Sequence, residues 1–420
     1  MALLRRLLPA ADNSQPFACT ALDVGTEFAK ALVFEVDDRG EGVVRGVGRQ
    51  RQGLSHMQSG TVADIGAVVD NCSVALQEAE EMAGFRPSAV VIGIAGELVK
   101  GFTTNRSEER KKPDQPIGEG ELQRLIESLQ RDALRTAERT ITWETGLPQV
   151  DVRLVHAAVT GATIDGYPVT NPIGFKGRHL QVGVFSAFAP LVHIGALESV
   201  AAQLDLQLLA IVAEPYAVAR CLGGDGVVQA GGLFVDVGGG TTDVALVRGG
   251  GIESTRMFAL GGRAFTKSIA ERLDLPFPRA EALKIDVARG LGEERRDDVK
   301  AIMAEDVEVW TAGVELVLEE LAAGQLLPNR IFLCGGGAGL PEIEGVLRNG
   351  HFAKALPFSR PPEVRLLEPS QVMRVVDETK LLVDQQDVTP MALAYQALEL
   401  QGDESTLDAM LHRVIRSMRI

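Results

Sequence analysis

Residues 233–247 read Leu-Phe-Val-Asp-Val-Gly-Gly-Gly-Thr-Thr-Asp-Val-Ala-Leu-Val, an order of residue types suited to holding a phosphate. The apolar run Leu233 to Val237 predicts one strand and Val244 to Val247 a second, joined by a turn nearly free of side chains. Gly238, Gly239 and Gly240 can take positive φ and let backbone N–H groups close on an anion. Thr241 and Thr242 add hydroxyl donors. Asp236, at the strand end, is placed to hold a hydrated Mg²⁺, an ion that keeps most of its waters and takes few carboxylates.

The design occurs twice. Ala21-Leu22-Asp23-Val24-Gly25-Thr26 again ends a strand with an acid, a glycine and a hydroxyl, and apolar residues resume from Ala31 to Val36. Two such hairpins, around Asp23 and Asp236, predict duplicated halves facing each other across a phosphate tail. A third glycine cluster, Gly335-Gly336-Gly337-Ala338-Gly339, follows the expected strand Arg330–Leu333. Pro341 and Glu342 suit the first turn of a following helix, and bare backbone there could lie against a flat base and ribose.

In this order the motifs resemble those of the actin, sugar-kinase and heat-shock-chaperone ATPase superfamily. Within it the chain is most similar to the FtsA family of actin-like bacterial cell-division proteins, over roughly residues 17–400. The resemblance implies an α/β, actin-like ATPase fold: two duplicated halves around a nucleotide cleft, with a domain (1C) inserted in the first half. It implies ATP and Mg²⁺ as cofactors, with hydrolysis weak or conditional. Asp23, Gly25 and Thr26 match the first phosphate loop, Asp236–Asp243 the second, and Gly335–Leu340 the adenosine loop. Asp23 and Asp236 would position the metal, while Glu214, before Pro215, would orient the attacking water beside Asp236. Lys284 has two readings, a solvated helix lysine or a nucleotide contact. One departure stands out: Glu27 occupies a position where FtsA proteins usually carry serine, and a carboxylate there repels phosphate unless it points away or shares the metal.

The same resemblance divides the chain into 1A (17–86 and 161–210), the inserted 1C (87–160), 2A (211–249 and 329–388) and 2B (250–328). A connecting helix at 389–400, opened by a Thr389 N-cap and Pro390, returns to 1A, and 401–420 is linker and tail. Asp165-Gly166-Tyr167 and the Asn171–Phe175 stretch resemble the exit from 1C. Periodic apolar residues independently predict helices at Ile65–Ala83 and Leu122–Ala137.

Composition narrows the classes. A chain of 420 residues exceeds the usual growth of one core, so more than one domain is expected. Its net charge of −15 argues against a nucleic-acid partner. Four cysteines without paired spacing fit a reducing cytosol, and no apolar run approaches bilayer length.

The tail departs from this acidic character. Leu407, Met410, Leu411, Val414, Ile415 and Met418 recur at helical spacing, with Arg413, Arg416 and Arg419 on the other faces. Such a helix lies in an anionic membrane surface or docks on protein. With the family resemblance, the first reading implies a cytoplasmic protein held peripherally on the inner face of the cell membrane. Its implied partners are an FtsZ-like tubulin homologue and further copies of itself, stacked head to tail. The runner-up is PilM, the FtsA-like adaptor of type IV pilus machinery, and a reading of another class is a small-molecule kinase of the superfamily.

Overall fold

The computed structural model describes residues 17–147, 149–222, 231–249, 251–291, 295–402 and 405–418. Its frame is a pair of sheets built to one plan. In the first, β1 (Ala18–Val24), β2 (Phe28–Val36) and β3 (Gly42–Arg51) form an antiparallel meander, and β6 (Ala89–Ile94) lies parallel to β1. The small hairpin β4 (Met57–Gln58) and β5 (Thr61–Val62) and helix α1 (Ile65–Ala83) precede β6. β1 and β6 are apolar and buried almost throughout, as expected of strands covered on both faces. Helix α1 is capped by Asp64, whose side chain accepts from Ala67 N, and ends at Gly84 with φ +79°.

The inserted lobe follows β6: β7 (Lys100–Glu109), α2 (Glu119–Thr145), β8 (Val152–Ile164), β9 (Tyr167–Val169) and β10 (His179–Pro190). Its strands run in the order β7-β10-β8-β9, and α2 covers one face with Leu122, Leu125, Ile126 and Leu129. The chain then returns to the first half through α3 (Leu191–Gln203) and β11 (Gln207–Ala213), which lies parallel to β6.

The connecting helix α4 (Glu214–Cys221) leads to the second half, where β12 (Gly232–Val237), β13 (Thr242–Arg248) and β14 (Gly251–Phe258) repeat the meander. Helices α5 (Gly262–Leu273), α6 (Phe277–Ala288) and α7 (Arg296–Ala322) form the layer beyond it. β15 (Arg330–Cys334) lies parallel to β12; α8 (Pro341–Leu347), α9 (Gly350–Ala355) and β16 (Glu363–Leu366), parallel to β15, complete the half. The order β11-β6-β1-β2-β3 in one sheet thus matches β16-β15-β12-β13-β14 in the other, which is the expected duplication. Strand β17 (Val375–Asp377) pairs with β3, and α10 (Val388–Gln401) crosses back over α4. Ala217 and Ala219 on α4 and Ala392, Ala394 and Ala397 on α10 are all buried, so small side chains let the two helices approach.

Strand pairing moves several expected boundaries. β6 belongs to the first sheet rather than to the lobe, and the lobe's strands continue to Pro190, so the lobe spans 100–190 instead of 87–160. β14 is the third strand of the second meander rather than part of the 250–328 insert, which is otherwise helical. β17 lies in the first sheet although 329–388 was expected in the second half. For β6 and β17 the partner strand is far away in sequence, which a linear reading does not contain, whereas β14 simply continues the meander from its sequence neighbour β13. The lobe also touches both halves: Phe102 on β7 pairs with Ser254 on β14, whose hydroxyl donates to Gly101 O at 3.2 Å.

The tail helix α11 (Thr406–Met418) forms as its spacing predicts, and Ser405 Oγ caps it by accepting from Asp408 N at 3.1 Å. It is docked rather than loose. Leu407, Met410, Leu411 and Val414 are buried in one cluster with Leu122, Leu125 and Ile126 of α2, and Ile415 and Met418 pack at its edge. Asp408 Oδ1 accepts from Val159 N on β8, and Arg413 pairs with Glu119. Arg413 and Arg416 face solvent; Arg419 and residues 403–404 of the linker lie outside the described residues.

Candidate nucleotide cleft

Both hairpin turns open into one cavity of about 320 Å³ between the halves, within the range of small-molecule sites. Asp23, Gly25 and Thr26 line it from the first half, and Asp236, Gly238, Gly239 and Thr241 from the second. Gly335, Gly336 and Gly337 close one end, and Glu214 and Lys284 also border the space. Gly240 and Thr242 do not line it. Thr242 instead donates to Leu260 O at 2.7 Å and accepts from Trp310 Nε1 at 2.9 Å, so its hydroxyl fastens the turn to α7.

The three turn glycines serve close approach, since none of them has the positive φ expected from the sequence. A Cβ on Gly239 would lie 2.9 Å from Glu27 Cβ, and one on Gly240 would lie 2.8 Å from Thr26 Cγ2. Side chains there would therefore drive the two turns apart. The start of α5 holds the second turn, as Gly262 N and Arg263 N donate to Gly238 O (2.9 Å) and Gly239 O (2.7 Å). Gly335 does take positive φ, +83°, packed against the end of β12.

Of the acids that line the cavity, Asp23, Glu214, Asp236 and Asp243 lie close enough to act on one another electrostatically. Lys30, opposite Asp23 in the β1–β2 register, donates to Asp23 Oδ2 at 3.1 Å and to Gln386 O at 2.8 Å. Thr389 Oγ1 donates to Asp236 Oδ2 at 2.6 Å. The helix begins before the expected Thr389 cap, with Asp387 at the N-cap, and Thr389, the second residue of α10, supports the second acid. Burial, reinforced by Asp23, Asp243 and Asp236 and offset by Lys30, pushes the Glu214 carboxyl well above the usual range. Burial also raises Asp236, against the hydrogen bond from Thr389. Burial and the Asp236 charge push Asp243 up to about 8.

Such crowding is the electrostatic signature of a site that gains from a cation. Among the described residues no three Asp, Glu, His or Cys side chains are grouped to ligate an ion directly. Asp23 and Asp236, one from each half, are the acids that could hold a hydrated cation such as Mg²⁺, which keeps most of its waters and takes few carboxylates. Lys284 proves to be neither solvated nor free: its ammonium reaches Gly262 O and Thr266 Oγ1 at 2.8 Å and Glu281 at 2.9 Å, stapling α5 to α6.

Asp243 gives a pH test. Its folded-state pKa, about 8 against an ordinary 3.8, means the folded chain keeps a proton that the unfolded chain has released. Cation-free stability from this group is therefore fullest below the unfolded value, declines as pH rises toward 8 and then levels. Asp243→Asn should raise the thermal midpoint in chelator at pH 8, by about 2 kcal/mol in stability after discounting for relaxation, and the gain should shrink by pH 5. Parallel melting curves across that range would show the carboxylate to be compensated already.

Two duplicated halves closing on a glycine-lined, acid-rich cleft define the class: this is an α/β protein of the actin-like ATPase fold. A chain of the PilM-PilN type IV pilus biogenesis complex shares that fold, with a TM-score of 0.61 at 18% identity, covering 91% of this chain and 99% of that one.

Within the class the chain is FtsA-like. Residues 233–382 match the family described as cell division protein FtsA. Cell division protein FtsA of Pseudomonas aeruginosa PAO1 is 28% identical over 274 residues, 65% of this chain and 61% of that protein, so under two thirds of that relative is spanned. FtsA of Streptococcus pneumoniae D39 is 24% identical over 409 residues, 91% of this chain and 86% of that protein.

Proposed function

We propose that this chain is an ATP-binding, actin-like cell-division adaptor that tethers FtsZ-type filaments to the cytoplasmic membrane and assembles head to tail. The observation that carries the nucleotide half is the meeting of both glycine hairpins, with Asp23 and Asp236, in one cavity. The FtsA match supports the division half, and it is a match of sequence, whereas the likeness to PilM is one of fold. Glu214 would orient water for in-line attack, and its raised pKa suits a group that shares a proton with that water.

Membrane attachment through α11 requires the helix to leave the lobe. Four buried apolar side chains hold it at about 1.5–3 kcal/mol each before ordering costs. Partial insertion of six apolar side chains at about 1 kcal/mol each, and about 1 kcal/mol per arginine at an anionic surface, is of the same order. Docking and membrane therefore compete nearly evenly, and a filament that presents many tails tips the balance by multivalency. Among the described residues no helix is long and apolar enough to cross a membrane, so attachment on this reading is peripheral, at the inner face.

Calorimetry tests the cleft directly. Asp236→Ala should weaken Mg·ATP binding at least about tenfold by removing an anchor of the metal's water shell, whereas Glu214→Ala should spare binding and lower hydrolysis. Unchanged affinity in Asp236→Ala would remove the nucleotide site. A pull-down from native extract, scored for FtsZ against pilus proteins, decides between the division and pilus readings.

A further inference from the structure

Glu27 brings a further carboxylate to the phosphate end of the cleft, at the point where the two turns meet. Left alone it would repel an anion there. It is instead held between two arginines: Arg51, at the end of β3, lies 2.6 Å from Oε1, and Arg263 Nε lies 2.6 Å from Oε2. Arg263 Nη2 donates in addition to Gln52 O at 3.2 Å. Arg263 thus spans the cleft. Its backbone N–H is bound to Gly239 of the second turn, and its side chain is bound to Glu27 and Gln52 of the first half.

The fork is sheltered, with the Arg263 side chain 14% exposed against 41% for Arg51. Its Nε and Nη2 are engaged, while Nη1 makes no hydrogen bond among the described residues and the side chain borders the cavity. The other cations deep in the site differ. Lys284 has all three donors engaged, and Lys30 is drawn to Asp23 and Gln386. Two guanidiniums around one carboxylate leave the cluster net positive, at the end of the cavity that the paired turns define for a phosphate tail.

We propose that Arg263 reads the terminal phosphate of a nucleoside triphosphate, with Glu27 as the positioning residue that holds its fork. The inference rests on the reading of the cleft as a nucleotide site and adds what selects triphosphate over diphosphate there. A guanidinium oriented by a carboxylate keeps its remaining N–H groups in a fixed plane, ready for a phosphate oxygen. A diphosphate would leave that end of the cleft empty and gain little from it.

The experiment is calorimetric titration of the full chain with Mg·ADP and with the β,γ-imido analogue of Mg·ATP. It compares the wild type with Arg263→Ala, Arg263→Lys and Glu27→Gln. Arg263→Ala should weaken the triphosphate analogue about tenfold or more while changing ADP affinity less than about threefold. Arg263→Lys should recover only part of the difference, because the charge returns without the fork. Glu27→Gln should lower the ratio of triphosphate to diphosphate affinity through misorientation, a change that a purely electrostatic role would reverse in sign. Equal losses for both nucleotides would make Arg263 a clasp between the halves and overturn the inference, as would no loss at all. Wild-type protein that binds neither nucleotide would instead refute the cleft assignment itself. Denaturation curves for each variant separate lost folding from lost selectivity.

Discussion

Replacing Gly335 by alanine should cost both stability and nucleotide affinity, each by a large margin. At φ +83° any L side chain is strained, and the added Cβ would overlap Asp236 Oδ1 and lie 2.6 Å from Val237 O. The turn must shift or the second acid must leave Thr389. Strain and overlap together should lower unfolding free energy by about 2–4 kcal/mol, and displacement of Asp236 should weaken Mg·ATP at least about tenfold. Gly336→Ala is the internal control, because its nearest neighbour would be Gln386 Cβ at 3.9 Å. That variant should lose less than about 1 kcal/mol. Chemical denaturation and calorimetry on the pair measure both effects, and equal behaviour of the two variants would mean the turn does not press on β12.

Leu411→Glu carries the second large effect. Leu411 is fully buried where α11 meets α2 and β8, so the substitution places a charge in the lobe's core. Loss of docking and exposure of the groove should cost about 3–5 kcal/mol. Hydrogen exchange should then rise along α2 while the first and second halves stay protected. Leu411→Met keeps the stripe apolar and should cost under about 1.5 kcal/mol. Exchange along α2 that is the same in wild type and Leu411→Glu would show that the helix is free in solution. The membrane question is read separately, by sedimentation with anionic vesicles. The glutamate removes binding whether or not the helix docks, and wild-type binding that weakens with added salt supports the arginine face.

The hairpins were legible because their determinants are local. An acid, a glycine turn and a hydroxyl within a few residues dictate strand, turn and strand, and repetition of that pattern foretold the duplicated sheets. Asp23, Gly25, Thr26, Gly238, Gly239, Thr241 and Asp236 carry that local signal and line one cavity, together with Glu214 and the Gly335–Gly337 turn, whose roles only the family resemblance implies. A signal for Lys30 was also present, since residues seven apart across a tight hairpin fall in register.

What the tertiary structure decided is everything that depends on which distant surfaces meet. Thr242 and Thr241 are neighbours of like type, and only the arrival of Trp310 from α7 turns one to structure and leaves the other to the cleft. Glu27 is repulsive in a linear reading and compensated in space, because Arg51 and Arg263 come from opposite sides of the cleft. The lobe's limits and the strand β17 follow from pairings made across much of the chain. The tail's amphipathic pattern fixed a helix with one apolar face and left its partner open. A membrane and a protein groove offer the same relief from water, and periodicity measures the need for burial without naming what supplies it.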